Sequence, residues 1–551
     1  MPLALSAFTH IWNPVGFPDQ APDDGTYIRR ALRVLEGLGP QQGTFYDHPY
    51  FGQIFLGTIF TIIGYPELGV PSVRASVQDL ELSMEMLYTI PRILMGLLAV
   101  ADTFLIYKIA ERRYNRNVAF IAAILFAVTP LGWLFRRMYL DPIQLPFLLT
   151  SILFALYTGI RAKQNGSKDI ATVKSREESE RISDKVRGER QSQGEGESYT
   201  NFSGHMSMSN QNIILLLSSG IFLGLTIFTK VPAITLIPLV GFIVFTNNKK
   251  SFKALGLWII PVILIPLMWP THTVLGGEFD QWQEGIIYQT TRASKPLFDA
   301  INDFYNKDPV LLILGIAGFA FATITRKDLL FIFWVIPFLA FFYAVDYVSH
   351  FHMIPLIPAF CIGAAVLIGD LSEKVMKNKK LVRRILPFAI ISAIGIFGLV
   401  STTSLIVKTR NSSDFDVIAS VVQYLPQGLE KPNISGNSQG LKSVIEDPTN
   451  SENVTIIGTS RHFWILQYVF DKLEYDYKSP NNMVSKKTLE GVEDGSVKVL
   501  MIADENMRKI VSGEELPRTS KAEIKAERLA DIYANSKTVA NVHKVEIRTN
   551  Y

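Results

Sequence analysis

Apolar segments of bilayer-crossing length recur along the chain from Leu87 to Val400, separated by short polar breaks. A helix needs roughly 17 to 25 residues to cross the hydrocarbon core. Segments of about that size lie at 87–107, 118–135, 143–160, 212–229, 232–246, 254–270, 309–325, 329–345, 352–370 and 385–407. Two further apolar stretches, His48–Pro66 and Phe279–Gln289, are short or glycine-broken and read as helices lying in the membrane interface. Residues 161–210 mix both charges with Ser, Gly and Gln and lack apolar periodicity, the composition of a disordered loop.

Beyond Arg410 the pattern changes. Helix-like DFDVIASVVQYL, RHFWILQYVF and KAEIKAERLADIY alternate with strand-like NVTIIG, KVLMIAD and KVEIR, as in a small α/β domain. No glycine-rich phosphate fingerprint follows these strands, so the domain is assigned no cofactor. The pattern predicts a mainly α fold, a polytopic helical bundle with a small C-terminal extracytoplasmic α/β domain. Its parts are an outer loop region with interfacial helices at 1–86, the bundle at 87–408 and the α/β domain at 409–551.

Composition agrees: of 551 residues, 48% are hydrophobic and 19% charged, too apolar and too unevenly spread for a soluble chain. The net charge of +4 is small and sits in short loops, so it speaks for orientation in a membrane and against nucleic-acid binding. Arg112, Arg113 and Arg116, Lys163 and Lys168, Lys249, Lys250 and Lys253, Arg326 and Lys327, and the basic run from Lys377 to Arg384 fall in alternate loops, which are expected to be cytoplasmic. The lone Cys361 lies inside an apolar span and offers neither a disulfide nor a metal site. MPLALSAFTHIWNPVGFPDQ has no secretory-signal pattern and is too short to span, so targeting is expected from the spans themselves.

Candidate chemistry gathers at the opposite, outward ends. Asp23, Asp24, Asp47 and His48 precede the first span, Arg136, Arg137 and Asp141 follow the second, and Lys230, His350 and His352 lie at later span ends. Taken singly, each has an ordinary explanation. PDDG is turn or N-cap chemistry, Asp141 before Pro142 could cap a span, and the basic residues could anchor or snorkel to headgroups. Their shared membrane face is what those explanations leave over.

In order along the chain, PDDGTYIRRALRVLEG, YDHPYFGQ, RRMYLDP and FTKVPA resemble the motifs of the GT-C fold superfamily of dolichyl-phosphate-mannose protein mannosyltransferases and aminoarabinose transferases. The resemblance covers roughly residues 10–370. It implies that Asp23 is a general base, with Asp24 where the family has Glu, and that Asp141 is the acid of the second outer loop, with Arg136 or Arg137 its basic neighbour. It further implies that Lys230 holds a lipid phosphate, that His48 opens an interfacial helix and that His350 and His352 approach the donor. Family members usually carry a span before the acidic loop, and this chain starts too late to contain one.

The implied activity is an inverting membrane glycosyltransferase in the cell membrane. It moves a mannose-like sugar from a polyprenyl- or dolichyl-phosphate donor to a hydroxyl of a protein, glycan or lipid acceptor on the outer face. Asp, His and hydroxyl groups could hold a divalent cation there. The alternatives are a transporter or flippase of lipid-linked sugars, whose ionisable residues are expected nearer the bilayer midplane, and a degenerate non-catalytic membrane protein. Asn-x-Ser/Thr triplets at Asn411, Asn433 and Asn453 carry little weight.

Overall fold

The computed structural model describes residues 1–18, 22–35, 37, 46–65, 77–159, 209–290, 295–375, 380–408, 413–425, 454–459, 463–469, 475–478, 486–514 and 520–551. The charged loop expected at 161–210, except for its last two residues, and the three Asn-x-Ser/Thr asparagines lie outside the described residues.

Helix α1 (Pro2–Ile11) packs on α4 (Val77–Arg113) and α5 (Arg116–Val128), with α2 (Pro22–Leu35) and α3 (Phe51–Ile63) between them in the chain. The first ten residues are thus a docked helix where the sequence reading expects outer loop. The docking is close: a Cβ on Gly96 of α4 would sit 2.7 Å from the His10 carbonyl oxygen, so only glycine lets the backbones meet. Ser6, Thr9 and His10 are buried on the docked face. Ser6 accepts a 2.8 Å hydrogen bond from the Thr103 hydroxyl of α4.

Among the described residues, seven helices are long and apolar enough to cross a membrane. They are Tyr88–Arg113, α6 (Leu140–Tyr157), α7 (Asn210–Thr229), Phe252–Leu275, Pro309–Arg326, His350–Leu371 and Ala389–Val407. The segment expected as one span at 118–135 is instead α5 followed by a 3₁₀ turn, Pro130–Arg136, bent 71° away. Pro130 lacks the N–H that would continue the helix. Hydroxyls occupy the last helical carbonyls before the bend: Thr9 donates to Ala127 O at 2.7 Å and Thr402 to Val128 O at 3.2 Å.

The segments expected at 232–246 and 329–345 are the shorter helices Val231–Asn247 and Leu330–Val345. The former opens with a 3₁₀ turn, Val231–Leu236. With the larger rise of that turn, its reach is on the order of 28 Å, close to the hydrocarbon thickness. Small residues again set one tight crossing, where a Cβ on Gly318 would lie 2.2 Å from the backbone of Gly363.

The C-terminal part holds a five-stranded mixed sheet of order β2-β1-β3-β5-β4, with β1 (Val454–Ile457), β2 (Asp476–Lys478), β3 (Lys498–Ala503), β4 (Lys537–Val542) and β5 (Val545–Thr549). β1 runs parallel to β2 and β3, and β5 antiparallel to β3 and β4. Period-two alternation along β3 sends Leu500 and Ile502 to one face with Val417 and Val421 of the helix Ser413–Gln423. Val499, Met501 and Ala503 go to the other, with Leu529 and Ile532 of the helix Ser520–Ala534. The fold is therefore the expected helical membrane bundle with a small α/β element at its C-terminus.

Candidate active site

Three 3₁₀ turns interrupt the helices at one end of the bundle: Pro130–Arg136, Val231–Leu236 and His350–Leu356. A proline stands in each, at 130, 232 and 355. Mid-span 3₁₀ stretches often mark functional positions because they re-aim side chains that a continuous helix would stack. These turns present the candidate residues: Arg136 and Arg137 end the first, Lys230 caps the second, and His350 and His352 belong to the third.

The turns meet through aromatic rings. Lys230 Nζ lies 4.9 Å from the Phe351 ring centroid, and Phe351 is 4.8 Å from Tyr139. The Arg137 guanidinium sits 5.1 Å from the Trp133 ring, donates to the Tyr139 hydroxyl at 2.8 Å, and shares Trp133 with His350, whose ring is 5.4 Å away. Lys230 and Asp141 form a buried ion pair at 2.5 Å, and Gln144 donates to the second Asp141 oxygen at 3.3 Å.

Helix α2 brings the acidic pair to this layer. Asp23 and Asp24 occupy its first turn, where the helix dipole favours negative charge. Their surroundings differ. Asp24 is fully buried; one oxygen accepts from the Met138 amide at 2.6 Å and the other from Arg92 at 3.3 Å. Arg92 also donates to the carbonyls of Pro14 at 3.0 Å and Pro18 at 2.6 Å. Asp23 is half-buried. Burial pushes the Tyr27 hydroxyl well above its ordinary pKa, and the carboxylates of Asp23, Asp47 and Asp141 push it further, so all three lie within electrostatic reach of one ring. Burial likewise raises Tyr139 to about 12, against Arg137 and together with Asp24 and Asp23.

His48 follows Asp47, whose carboxylate is 2.7 Å from Arg30 and 4.0 Å from the His48 ring nitrogen. Burial alone would raise the Asp47 carboxyl, but Arg30 and then His48 bring it below its ordinary range.

Two candidates turn away from the cluster. Arg136 is fully buried and donates to the carbonyls of Trp12 and Asn13, both at 2.5 Å, so it ties the turn to the N-terminal segment. His352 accepts from the Ser349 amide at 2.9 Å and stacks on Phe342, which makes it a capping residue of its own turn. His350 stays with the cluster, and its Nε2 has no hydrogen-bond partner among the described residues.

Three contributors escaped sequence reasoning. Arg92 anchors Asp24, and an arginine inside an apolar span is itself a functional signal. Lys295 and Lys307 come from the loop before Pro309: Lys307 lies 5.3 Å from the Trp133 ring, and Lys295 contacts the Ser349 hydroxyl at 3.4 Å. Nothing in their sequence context marks them. No group of three His, Cys, Asp or Glu side chains placed to hold a metal occurs among the described residues.

The model of the dolichyl-phosphate-mannose-protein mannosyltransferase family matches residues 82–170. The whole chain superposes on ArnT from Cupriavidus metallidurans bound to undecaprenyl phosphate with a TM-score of 0.56 and 13% identity, covering 100% of this chain and 97% of that one. An archaeal oligosaccharyltransferase, AglB from Archaeoglobus fulgidus in complex with an inhibitory peptide and a dolichol-phosphate, aligns with a TM-score of 0.52 and 11% identity over 93% of this chain and 69% of that one. No curated protein sequence matches the chain. At these identities the similarity establishes the GT-C fold, the fold that the ordered motifs resemble.

Proposed function

We propose that the chain is a multi-pass membrane glycosyltransferase that moves a sugar from a polyprenyl-phosphate donor to a hydroxyl acceptor, with the three 3₁₀ turns and the start of α2 as its active site. The observation that carries the reading is the placing of a half-buried carboxylate, Asp23, in one layer with the buried Lys230–Asp141 pair and the ring-held Arg137.

In this reading the Asp23 carboxylate takes the proton of the acceptor hydroxyl as its oxygen bonds to the anomeric carbon. The bond from that carbon to the phosphate oxygen breaks, its electrons leave with the polyprenyl phosphate, and in-line attack inverts the centre. Lys230 and Arg137 receive the growing phosphate charge. Asp141 fixes the Lys230 ammonium in place. Asp24, with both oxygens engaged, positions α2 and with it Asp23. Arg136 and His352 hold backbone in place.

The basic residues Arg112, Arg113, Arg326 and Lys327 at the other end of the bundle support a cytoplasmic assignment for that end. The site, the start of α2 and the C-terminal element then face outward, where a lipid-anchored donor keeps its tail in the bilayer. A mannose-like sugar and a protein or glycan hydroxyl fit this reading through the family match at 82–170.

Sugar transfer from labelled polyprenyl-phosphate sugars in membranes, comparing the native chain with Asp23→Asn, tests the proposal. Transfer by the native chain that collapses in the variant is expected. Equal transfer by both would remove Asp23 as base, and no transfer by the native chain across a panel of sugars would remove the enzymatic reading.

A further inference from the structure

The C-terminal element reaches into the layer that carries the acidic pair. Trp464, immediately before a short π-helical turn (Ile465–Val469), is fully buried, and its indole N–H donates to the Tyr88 hydroxyl at 2.9 Å with the rings 5.4 Å apart. Single π turns are frequent at functional positions. Trp464 and Ile465, with Ile418 and Ala419 of the helix Ser413–Gln423, share one apolar cluster with Tyr27, Ile28, Met138 and Tyr139. They therefore pack in the same core as α2 and the segment leading into Asp141, although nearly four hundred residues separate Trp464 from Tyr88.

Tyr88 lies one helical turn before Arg92, on the same face of α4. Arg92 holds Asp24, and Asp24 holds the Met138 amide. A path thus runs from Trp464 by a hydrogen bond to Tyr88, one turn along α4 to Arg92, and by the ion pair to Asp24, the neighbour of Asp23. We infer that Trp464 is a positioning residue of the active site, and that through the Trp464–Tyr88 contact the C-terminal element sets the placement of the start of α2 in the bundle. The inference deepens the glycosyltransferase reading and rests on it for its kinetic arm.

Trp464→Phe and Tyr88→Phe each remove the hydrogen bond and keep a ring in place, so the full-length protein retains its apolar cluster. Two readouts on the full chain in detergent or nanodiscs test the contact. The first is hydrogen–deuterium exchange at the Met138 amide and across 22–35, which reports the Asp24 tether without any substrate. The second is the kinetics of transfer from a polyprenyl-phosphate sugar.

Both variants, and the double variant to no greater extent than either single one, are expected to raise exchange at Met138 and to lower kcat about ten- to a hundredfold with KM for the donor unchanged, as misplacement near a reacting group does. Raised exchange with kcat unaltered would overturn the role in catalysis, and unaltered exchange would overturn the coupling itself. If the native chain transfers no sugar, the glycosyltransferase reading falls with its kinetic arm, while the exchange result still decides whether the C-terminal element controls α2. A KM effect with unaltered kcat would assign Trp464 to donor binding and sink the positioning role.

Discussion

Arg113 and Arg326, at one end of the bundle, each find a carboxylate on a neighbouring segment, whereas Arg136 and Arg137, at the other, find carbonyls and rings. Arg113 is 2.9 Å from Asp328, whose other oxygen accepts from the Tyr114 hydroxyl at 2.6 Å, and Arg326 binds Asp370 through two nitrogens. Arg136 lies against two backbone carbonyls, and Arg137 against Trp133 and Tyr139. A carboxylate neutralises a cation; a carbonyl dipole or a ring face satisfies its donors and leaves its charge. The first arrangement closes a helical bundle. Of the second pair, Arg136 holds backbone in place, while Arg137 keeps its charge near the buried Lys230–Asp141 pair, where an anionic group could use it.

The sharpest way to break that contrast lies within the acidic pair. Asp23→Asn is expected to cost on the order of a hundred- to ten-thousandfold in kcat, the usual worth of a general base, with the thermal midpoint of the solubilised protein nearly unchanged. Asp24→Asn should do the reverse in stability. It leaves Arg92 buried without its carboxylate, and losing one member of a buried pair costs about 3 to 5 kcal/mol. Thermal unfolding and transfer rates measured on both variants decide the matter: an Asp24→Asn protein as stable as the native one would show that the pair shares a single role.

Next in size is a dependence on pH at the Arg30–Asp47 pair. The folded pKa of Asp47 lies below its ordinary value of 3.8, so its contribution to stability is complete above that value and is lost as pH falls through the folded one. Arg30→Met removes the larger of the two groups that hold the buried carboxyl down and leaves His48, so burial raises its pKa relative to that in the native protein, and acidification should then destabilise the variant less than it does the native chain. Unfolding midpoints of the two proteins between neutrality and about pH 3.5 give the difference curve. Parallel curves would show that Arg30 does not hold Asp47 in the folded state.

Much of this organisation was legible in the residue order, because apolar runs and their polar breaks are what a bilayer selects. The spans, the sharing of one end by Asp23, Asp141, Arg137 and Lys230, and the strands around Ile456, Leu500 and Ile547 all follow from such patterns. Direction is what the patterns lack. Apolarity continues through Thr129 and Pro130, so the residue order predicts a single span where the chain turns by 71°, although proline marks the turn. Arg136 and Arg137 are adjacent and chemically equal, yet Arg136 ends the 3₁₀ turn while Arg137 is its extended C-cap, and only one faces the cluster. Arg92 lies inside an apolar segment, whose pattern gives no sign of the carboxylate it meets. The strands β2 and β4 were missed because they are edges: Asp-Tyr-Lys is short and polar, and Lys537–Val542 is largely exposed, so neither needs the alternation that marks a half-buried strand.

The smallest expected effect belongs to the end where charges are matched. Arg326 and Asp370 join the helix Pro309–Arg326 to the helix Ile357–Val375 with two parallel hydrogen bonds, but the arginine is about one-third exposed, at 35%, so water screens the pair and competes for it. Arg326→Ala should therefore cost no more than about 1 kcal/mol, the range of exposed ion pairs. It should leave kcat and the donor KM as they are, because the 3₁₀ turns at the far end take no part in the contact. Transfer kinetics and thermal unfolding of this one variant test the contrast from its weak side. A fall in kcat as large as that of Asp23→Asn, with the midpoint preserved, would mean that the end carrying the Arg326–Asp370 pair also serves the reaction.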